Sequence, residues 1–200
     1  MTGLYVHIPF CSVKCFYCDF TAFAGQKKTA RRYLSALEAE AGILPASGLS
    51  TLYVGGGTPS ELEPEELTEL FALIGRAYPD ARFEEATCEA NPESLNPEKL
   101  EILRRGGINR LSLGLQTTDD ALLKSIGRRH TAAEFFDVYA EARRVGGFAI
   151  SIDLMYGLPG QSPQSCRDSL EAVLKRQPEH LSLYGLQVED RTLFAKRGVE

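Results

Sequence analysis

Short runs rich in Val, Ile, Leu and Tyr alternate along this chain with longer stretches whose apolar residues recur at helical spacing. The runs predict strands at Leu4–Ile8, Thr51–Gly55, Glu84–Glu89, Arg110–Gly114, Ala149–Leu154 and His180–Leu186, each apolar enough for burial on both faces. The intervening periodicity predicts amphipathic helices over Arg31–Gly42, Pro64–Tyr78, Pro97–Arg105, Ala133–Val145 and Pro163–Arg176, with a short extra helix over Asp119–Ile126. Punctuation agrees with this division. Pro64, Pro97 and Pro163 suit a first helical turn, Asn96 and Ser162 stand where an N-cap belongs, and Gly106, Gly107, Gly146 and Gly147 fit helix ends. Repeated strand–helix units imply parallel strands joined by right-handed crossovers. Six of them predict an α/β fold, a partial (βα)6 barrel of TIM-like construction left open short of eight units. A doubly wound sheet has the same element order and stays open as an alternative.

Chain length and composition narrow the class. A chain of 200 residues without low-complexity or linker segments reads as one domain over residues 1–200. Arg197–Glu200 stands where a further helix would begin, as in a piece of a longer protein. At 44% hydrophobic and 24% charged residues the composition is that of a globular protein. No apolar run approaches the roughly 20 residues of a membrane span. The first residues lack a basic n-region and a cleavage site, so they read as a strand, with the cytoplasm as the expected location. A net charge of -5 supplies no broad positive field, which argues against a nucleic-acid partner.

The strongest chemical signal is Cys11-Ser-Val-Lys-Cys15-Phe-Tyr-Cys18, directly after the first strand. Clustered cysteines without an export signal point to metal rather than disulfides. Three thiolates at this spacing can take three corners of an iron–sulfur cubane, which normally needs four, leaving one iron open to a ligand. The alternative is a structural zinc with His7 as fourth ligand. Such sites usually hold ligand pairs on separate hairpins or helices, and His7 in a parallel strand beside Pro9 is a poor platform for one. After the second strand, Gly55-Gly56-Gly57-Thr58-Pro59 allows close backbone approach, with N–H groups able to meet an anion. Glu89, Gln116, Arg128 and Asp153 lie at or beyond predicted strand ends, where βα folds build their sites.

Cys-x-x-x-Cys-x-x-Cys with aromatic Tyr17 before the last cysteine resembles the radical S-adenosylmethionine (SAM) signature. The resemblance implies a [4Fe-4S] cluster on Cys11, Cys15 and Cys18, with SAM on the open iron and reductive release of a 5′-deoxyadenosyl radical. The glycine loop, with Gly56, Gly57 and Thr58, resembles the loop that grips the cofactor's methionine amino group. Tyr5–Cys11 (Tyr-Val-His-Ile-Pro-Phe-Cys), Glu89–Pro92, Asn109–Gln116, Asp153–Gln161 and Glu179–Tyr184 resemble the coproporphyrinogen-related branch. Cofactor contacts at Tyr5, Tyr17, Glu89, Gln116, Arg128 and Asp153 follow by that resemblance, and a supporting role for His7 toward a carboxylate or the cluster sulfurs. The oxygen-independent oxidase of this branch has a fourth cysteine two residues after the third, where this chain has Phe20. Cys18-Asp19-Phe20 resembles instead the family of heme chaperones. That implies heme or porphyrin as cargo, a heme-acceptor protein and an electron donor as partners, and a C-terminal domain with a histidine motif that these residues do not include. Cys88 and Cys166 read as small buried hydrophobes, His130 and His180 as ordinary hydrogen-bonding histidines, and Glu61–Glu69 as a solvated helix face.

Overall fold

The computed structural model describes residues 2–44 and 46–199. Its elements run β1 (Thr2–Ile8), β2 (Phe10–Cys11), β3 (Phe23–Ala24), α1 (Ala30–Ile43), β4 (Leu49–Gly56), α2 (Pro64–Ala77), β5 (Glu85–Ala90), α3 (Pro97–Arg105), β6 (Arg110–Gln116), α4 (Asp120–Ser125), α5 (Ala132–Val145), β7 (Ala149–Tyr156), α6 (Pro163–Leu174), β8 (His180–Gly185) and α7 (Leu193–Lys196). Every predicted strand and helix is present, with ends displaced by one or two residues. The pair β2–β3, the short α7 and the single 3-10 turns were not foreseen; pieces this short leave no periodicity to read.

Six strands form one wholly parallel sheet in the order β1-β4-β5-β6-β7-β8. Because each strand joins next to its predecessor, the order never reverses. A doubly wound sheet requires such a reversal, so the open barrel stands and that alternative falls. Local chemistry starts several helices where the sequence placed them. Asn96 Oδ1 accepts from the Lys99 N–H at 2.8 Å, and Ser162 Oγ accepts from the Ser165 N–H at 3.0 Å. Glu63 with Glu66, and Thr131 with Glu134, form reciprocal capping boxes on α2 and α5.

Burial corrects one expectation. The strands are not apolar on both faces. Val6 and Ile8, Leu52 and Val54, Ala86 and Cys88, Leu111 and Leu113, and Ile150 and Ile152 face the helices and are at most 4% exposed. Leu67, Leu70 and Leu73 of α2, Leu100 and Leu103 of α3, and Phe135 of α5 complete this core. The alternate positions are polar: Tyr5 and His7, Tyr53, Thr87 and Glu89, Arg110 and Ser112, Ser151 and Asp153. One sheet face is therefore a core, and the other is the lining of an open lumen. No helix among the described residues is long and apolar enough to cross a membrane.

Candidate functional site

Cys11 ends β2, and Cys15 and Cys18 follow in a tight turn closed by the Cys18 N–H donating to Cys15 O at 3.1 Å. The two-residue pairing of Phe10 with Phe23 and Cys11 with Ala24 closes this segment into a loop. Neighbours staple it from several sides. The Gly57 and Thr58 N–H groups donate to Ile8 O and Phe10 O, each at 2.8 Å. The Phe16 N–H donates to Ile126 O at 3.0 Å, and His7 Nε2 meets Thr21 O at 2.8 Å. Ser12 Oγ donates to Glu61, a carboxylate only 5% exposed. All three thiols are free and half-buried. Burial, opposed in part by the Thr58 hydrogen bond at Cys11 and the Phe20 backbone at Cys18, pushes these two thiols up.

The donor set fits a cluster better than zinc. Both ring nitrogens of His7 are occupied, one by Thr21 O and the other by the Tyr5 hydroxyl at 2.9 Å, so His7 is not free to serve as a fourth zinc ligand. The same contacts correct the role expected of His7: it touches neither a carboxylate nor a cysteine sulfur but ties β1 to the far end of the cysteine loop. Among the described residues no three His, Cys, Asp or Glu side chains converge closely enough for a single metal ion. A cubane does not require this, because each thiolate binds a different iron.

The glycine loop is also corrected. Its N–H groups are not free to meet an anion: the Gly56 N–H donates to Glu89 Oε2 at 3.0 Å, and those of Gly57 and Thr58 serve the cysteine loop. The glycines instead allow contact. A Cβ on Gly57 would lie 2.7 Å from Phe10 O, and one on Gly56, whose φ is +111°, would lie 2.4 Å from the His7 ring. Thr58 is 3% exposed and sets its hydroxyl 3.5 Å from Cys11 Sγ.

The remaining predicted positions gather on the lumen side. Glu89 accepts from the Tyr53 hydroxyl at 2.6 Å, and burial together with this carboxylate pushes the Tyr53 phenol up, keeping it a neutral donor. Tyr5 is exposed and stacks on Tyr53 with ring centroids 6.1 Å apart. Gln116 ends β6 in the left-handed region at φ +71°, where the pairing with β7 slips by a residue. Holding a non-glycine there costs on the order of 1 kcal/mol. Asp153 lies inside β7 rather than at its end. Its Oδ2 accepts from Ser112 Oγ at 2.9 Å, while its Oδ1 is buried without a partner. Burial, against the hydrogen bond from Ser112, pushes this carboxyl up. Burial similarly raises the half-buried Tyr17 phenol, with Cys15 adding to it.

Arg128 is 8% exposed and reaches across the mouth. Its Nη1 stands 3.7 Å from Cys15 Sγ, and its Nη2 donates to Asn91 Oδ1 and Gly114 O, each at 2.7 Å. Its guanidinium stays protonated although buried, with the Glu93 carboxylate 4.0 Å from Nη2. Its Nε is buried without a partner. A cleft of about 330 Å³ opens beside β1 and the end of the cysteine loop, lined by Tyr5, His7, Asp19, Phe20, Thr21, Gly56 and Glu89. An unpaired carboxylate oxygen in the lumen and an unpaired guanidinium nitrogen at its mouth suit a ligand bearing both amino and carboxylate groups.

Sequence reading missed three supporting residues. Asn91 links Thr58 to Arg128; its only signal was its place two residues after Glu89. Glu61, taken with its acidic neighbours as solvated, is buried against Ser12 with Lys27 at 3.8 Å. Lys99, 6% exposed, donates to Ser60 O at 2.7 Å and Ser94 O at 3.1 Å, joining the turns that follow β4 and β5. Of the residues set aside, His130 pairs with Glu93 at 3.2 Å and His180 with Ser151 at 2.9 Å, as ordinary hydrogen-bonding histidines do. Cys88 is fully buried, while Cys166 is half-buried on α6, less sheltered than expected.

Comparison with known proteins follows the same line. The chain is 43% identical over 199 residues to the heme chaperone HemW of Bacillus subtilis, covering 97% of this chain and 52% of that protein. It is 34% identical to HemW of Escherichia coli, covering 98% of this chain and 53% of the relative. The chain thus spans about half the length of the curated relatives it matches. Among solved structures, coproporphyrinogen III oxidase (HemN) from Escherichia coli, described as a radical SAM enzyme, superposes with a TM-score of 0.87 at 31% identity, covering 99% of this chain and 47% of that one. The family model described as "Radical SAM superfamily" matches residues 5–173, which take in the cysteine loop, the glycine turn and five of the six main strands. The chain belongs to the radical SAM superfamily.

Proposed function

We propose that this chain is the cluster- and SAM-binding core of a heme chaperone. Cys11, Cys15 and Cys18 would hold a [4Fe-4S] cluster, and SAM would lie along the lumen rim. A reduced cluster of this type supplies one electron to cleave the sulfonium of SAM. The chain's own residues orient and shelter. Glu89, anchored by Tyr53 and Gly56, faces the cleft as an acceptor for an ammonium group. Arg128 offers a permanent positive charge for a carboxylate, and Asp153 within β7 and Gln116 at the end of β6 offer further polar groups. Tyr17 supplies aromatic surface between the cysteines and Tyr5 supplies it in the cleft, while the packed helices behind the sheet keep water from that side.

The observation that carries the chaperone reading is Phe20. It occupies the place of the oxidase's fourth cysteine, is 66% exposed, and lines the cleft. An aromatic plane there offers apolar surface to a flat macrocycle, where a thiol would offer a ligand. The similarity to HemW at 43% identity supports the same choice. Since the chain spans about half of such relatives, cargo delivery belongs to the proposal, together with a heme-acceptor protein, an electron donor and a cytoplasmic setting.

The runner-up is porphyrinogen decarboxylation, favoured by the superposition on HemN. The test begins with anaerobic reconstitution and electron paramagnetic resonance with and without SAM, followed by heme titration and a coproporphyrinogen turnover assay. A cluster signal altered by SAM, heme binding and no turnover are expected. Turnover of coproporphyrinogen would select the oxidase, and uptake of zinc with no cluster signal would overturn both.

A further inference from the structure

The cysteine loop is surrounded by hydrogen-bond donors whose directions can be worked out. The Arg128 guanidinium has only donors, so the Asn91 atom 2.7 Å from its Nη2 is the amide oxygen. The amide nitrogen must then face Thr58, and Nδ2 donates to Thr58 Oγ1 at 3.0 Å. With its oxygen already accepting, the Thr58 hydroxyl has its single proton left for Cys11 Sγ, 3.5 Å away. The other arm of Arg128 points Nη1 at Cys15 Sγ, 3.7 Å away. One amide side chain thus sets the sense of the Thr58 donor and anchors the Arg128 donor, and the two reach different sulfurs.

We propose that Asn91 is a positioning residue that tunes the cluster through Thr58 and Arg128. This rests on the reading that the three cysteines hold a [4Fe-4S] cluster. Hydrogen bonds to cluster sulfurs favour the reduced, more negative state and raise the one-electron potential. Arg128 is tied to its place by Gly114 O and Asn91, and Thr58 is held by its own N–H on Phe10 O. Neither donor can turn away without breaking a bond. Asn91→Asp keeps the shape and still accepts from Arg128, but it cannot donate to Thr58. The threonine proton then turns to the new carboxylate, and Cys11 loses its donor.

The test is a double-mutant cycle read by potentiometry on the full chain, reconstituted anaerobically with iron and sulfide and reduced stepwise with dithionite under electron paramagnetic resonance. Thr58→Val is expected to lower the midpoint potential. Asn91→Asp is expected to lower it further in the parent than in the Thr58→Val background, because only the parent has a relay to lose; the added charge acts equally in both. Equal falls in the two backgrounds would overturn the relay. If Asn91→Asp does not fold, Asn91→Ala replaces it with the same two outcomes. A parent protein that assembles no cluster would overturn the underlying reading as well, and iron and sulfide analysis tells that failure from the first.

Discussion

Glycine at position 57 is required by what surrounds it rather than by its own backbone angles. A methyl group there would press on Phe10 O at 2.7 Å and Ile8 O at 2.9 Å, both of them backbone atoms that cannot swing aside. Gly57→Ala is therefore expected to push the cysteine loop off β4, costing about 1–3 kcal/mol. Its sharpest readout is iron retained per chain after reconstitution, expected to fall severalfold, while far-ultraviolet circular dichroism stays unchanged. Lys99 works at the same scale. Burial lowers its pKa, yet its ammonium is the common donor to Ser60 O and Ser94 O, which belong to the turns carrying Thr58 and Asn91. Lys99→Met would leave two buried carbonyls without it, a loss of about 2–3 kcal/mol. Urea unfolding measures this, and an unchanged midpoint would show that water takes over the lysine's place. Gly57 stood out in the sequence as part of a glycine run, but Lys99 did not, because a contact across 39 positions leaves no mark on local spacing.

Helix α5 shows how an element is fixed at both its flanks. Its buried face centres on Phe135, fully buried, with Phe136 edge-on at 5.5 Å and Tyr139 stacked at 6.5 Å. Phe135→Ala is expected to cost about 3–5 kcal/mol, measured by thermal or urea unfolding. Next to the end of the helix, Glu179 accepts from Arg143 Nη1 and from the Ile150 N–H, each at 2.7 Å, so one carboxylate joins α5 to β7. The Arg143 hydrogen bond leads in holding this carboxyl at about 2, below its ordinary 4.5. The folded value lies below the unfolded one. The stabilisation is thus fully present above about pH 4.5 and disappears as pH falls toward 2. Since the pair is largely exposed, its worth is about 1 kcal/mol or less. Glu179→Gln is expected to lower stability slightly at pH 6 and leave it unchanged near pH 2; equal losses at both would disprove the linkage. The helices themselves were legible in advance. Pro97 after Asn96, and Pro163 after Ser162, carry the caps in neighbouring residues, so local chemistry was enough.

At the scale of the whole molecule the site and the core are separate constructions. The main core uses strand and helix residues from Val6 to Val173 and includes none of Cys11, Cys15 and Cys18. The cysteine loop packs instead on the smaller cluster of Ile126, Met155, Leu158 and Phe194 through Phe16 and Tyr17. Removing the proposed cluster is therefore expected to leave the sheet folded while loosening residues 11–24. Hydrogen exchange checks this: amides of the loop should gain protection on anaerobic reconstitution, with β4 to β7 changing little. A global change in protection would mean that the cluster holds the fold together.

The order of strands and helices, the main helix starts and the cysteine spacing were all determined by the sequence. Each depends on residues close in the chain, where periodicity, proline and capping side chains act directly. The alternation of Leu111-Ser112-Leu113 and Ile150-Ser151-Ile152-Asp153 also marked a polar face, although strong apolar content hid it. Only the tertiary structure decided the neighbour order in the sheet, because crossover sequences do not specify which edge they return to. It alone turned the glycine N–H groups inward, buried Glu61 in an otherwise solvated run, and set His7 on a backbone carbonyl rather than a sulfur. It also brought Asn91 between Thr58 and Arg128, since side chains 33 and 37 residues apart can meet only once the strands are side by side.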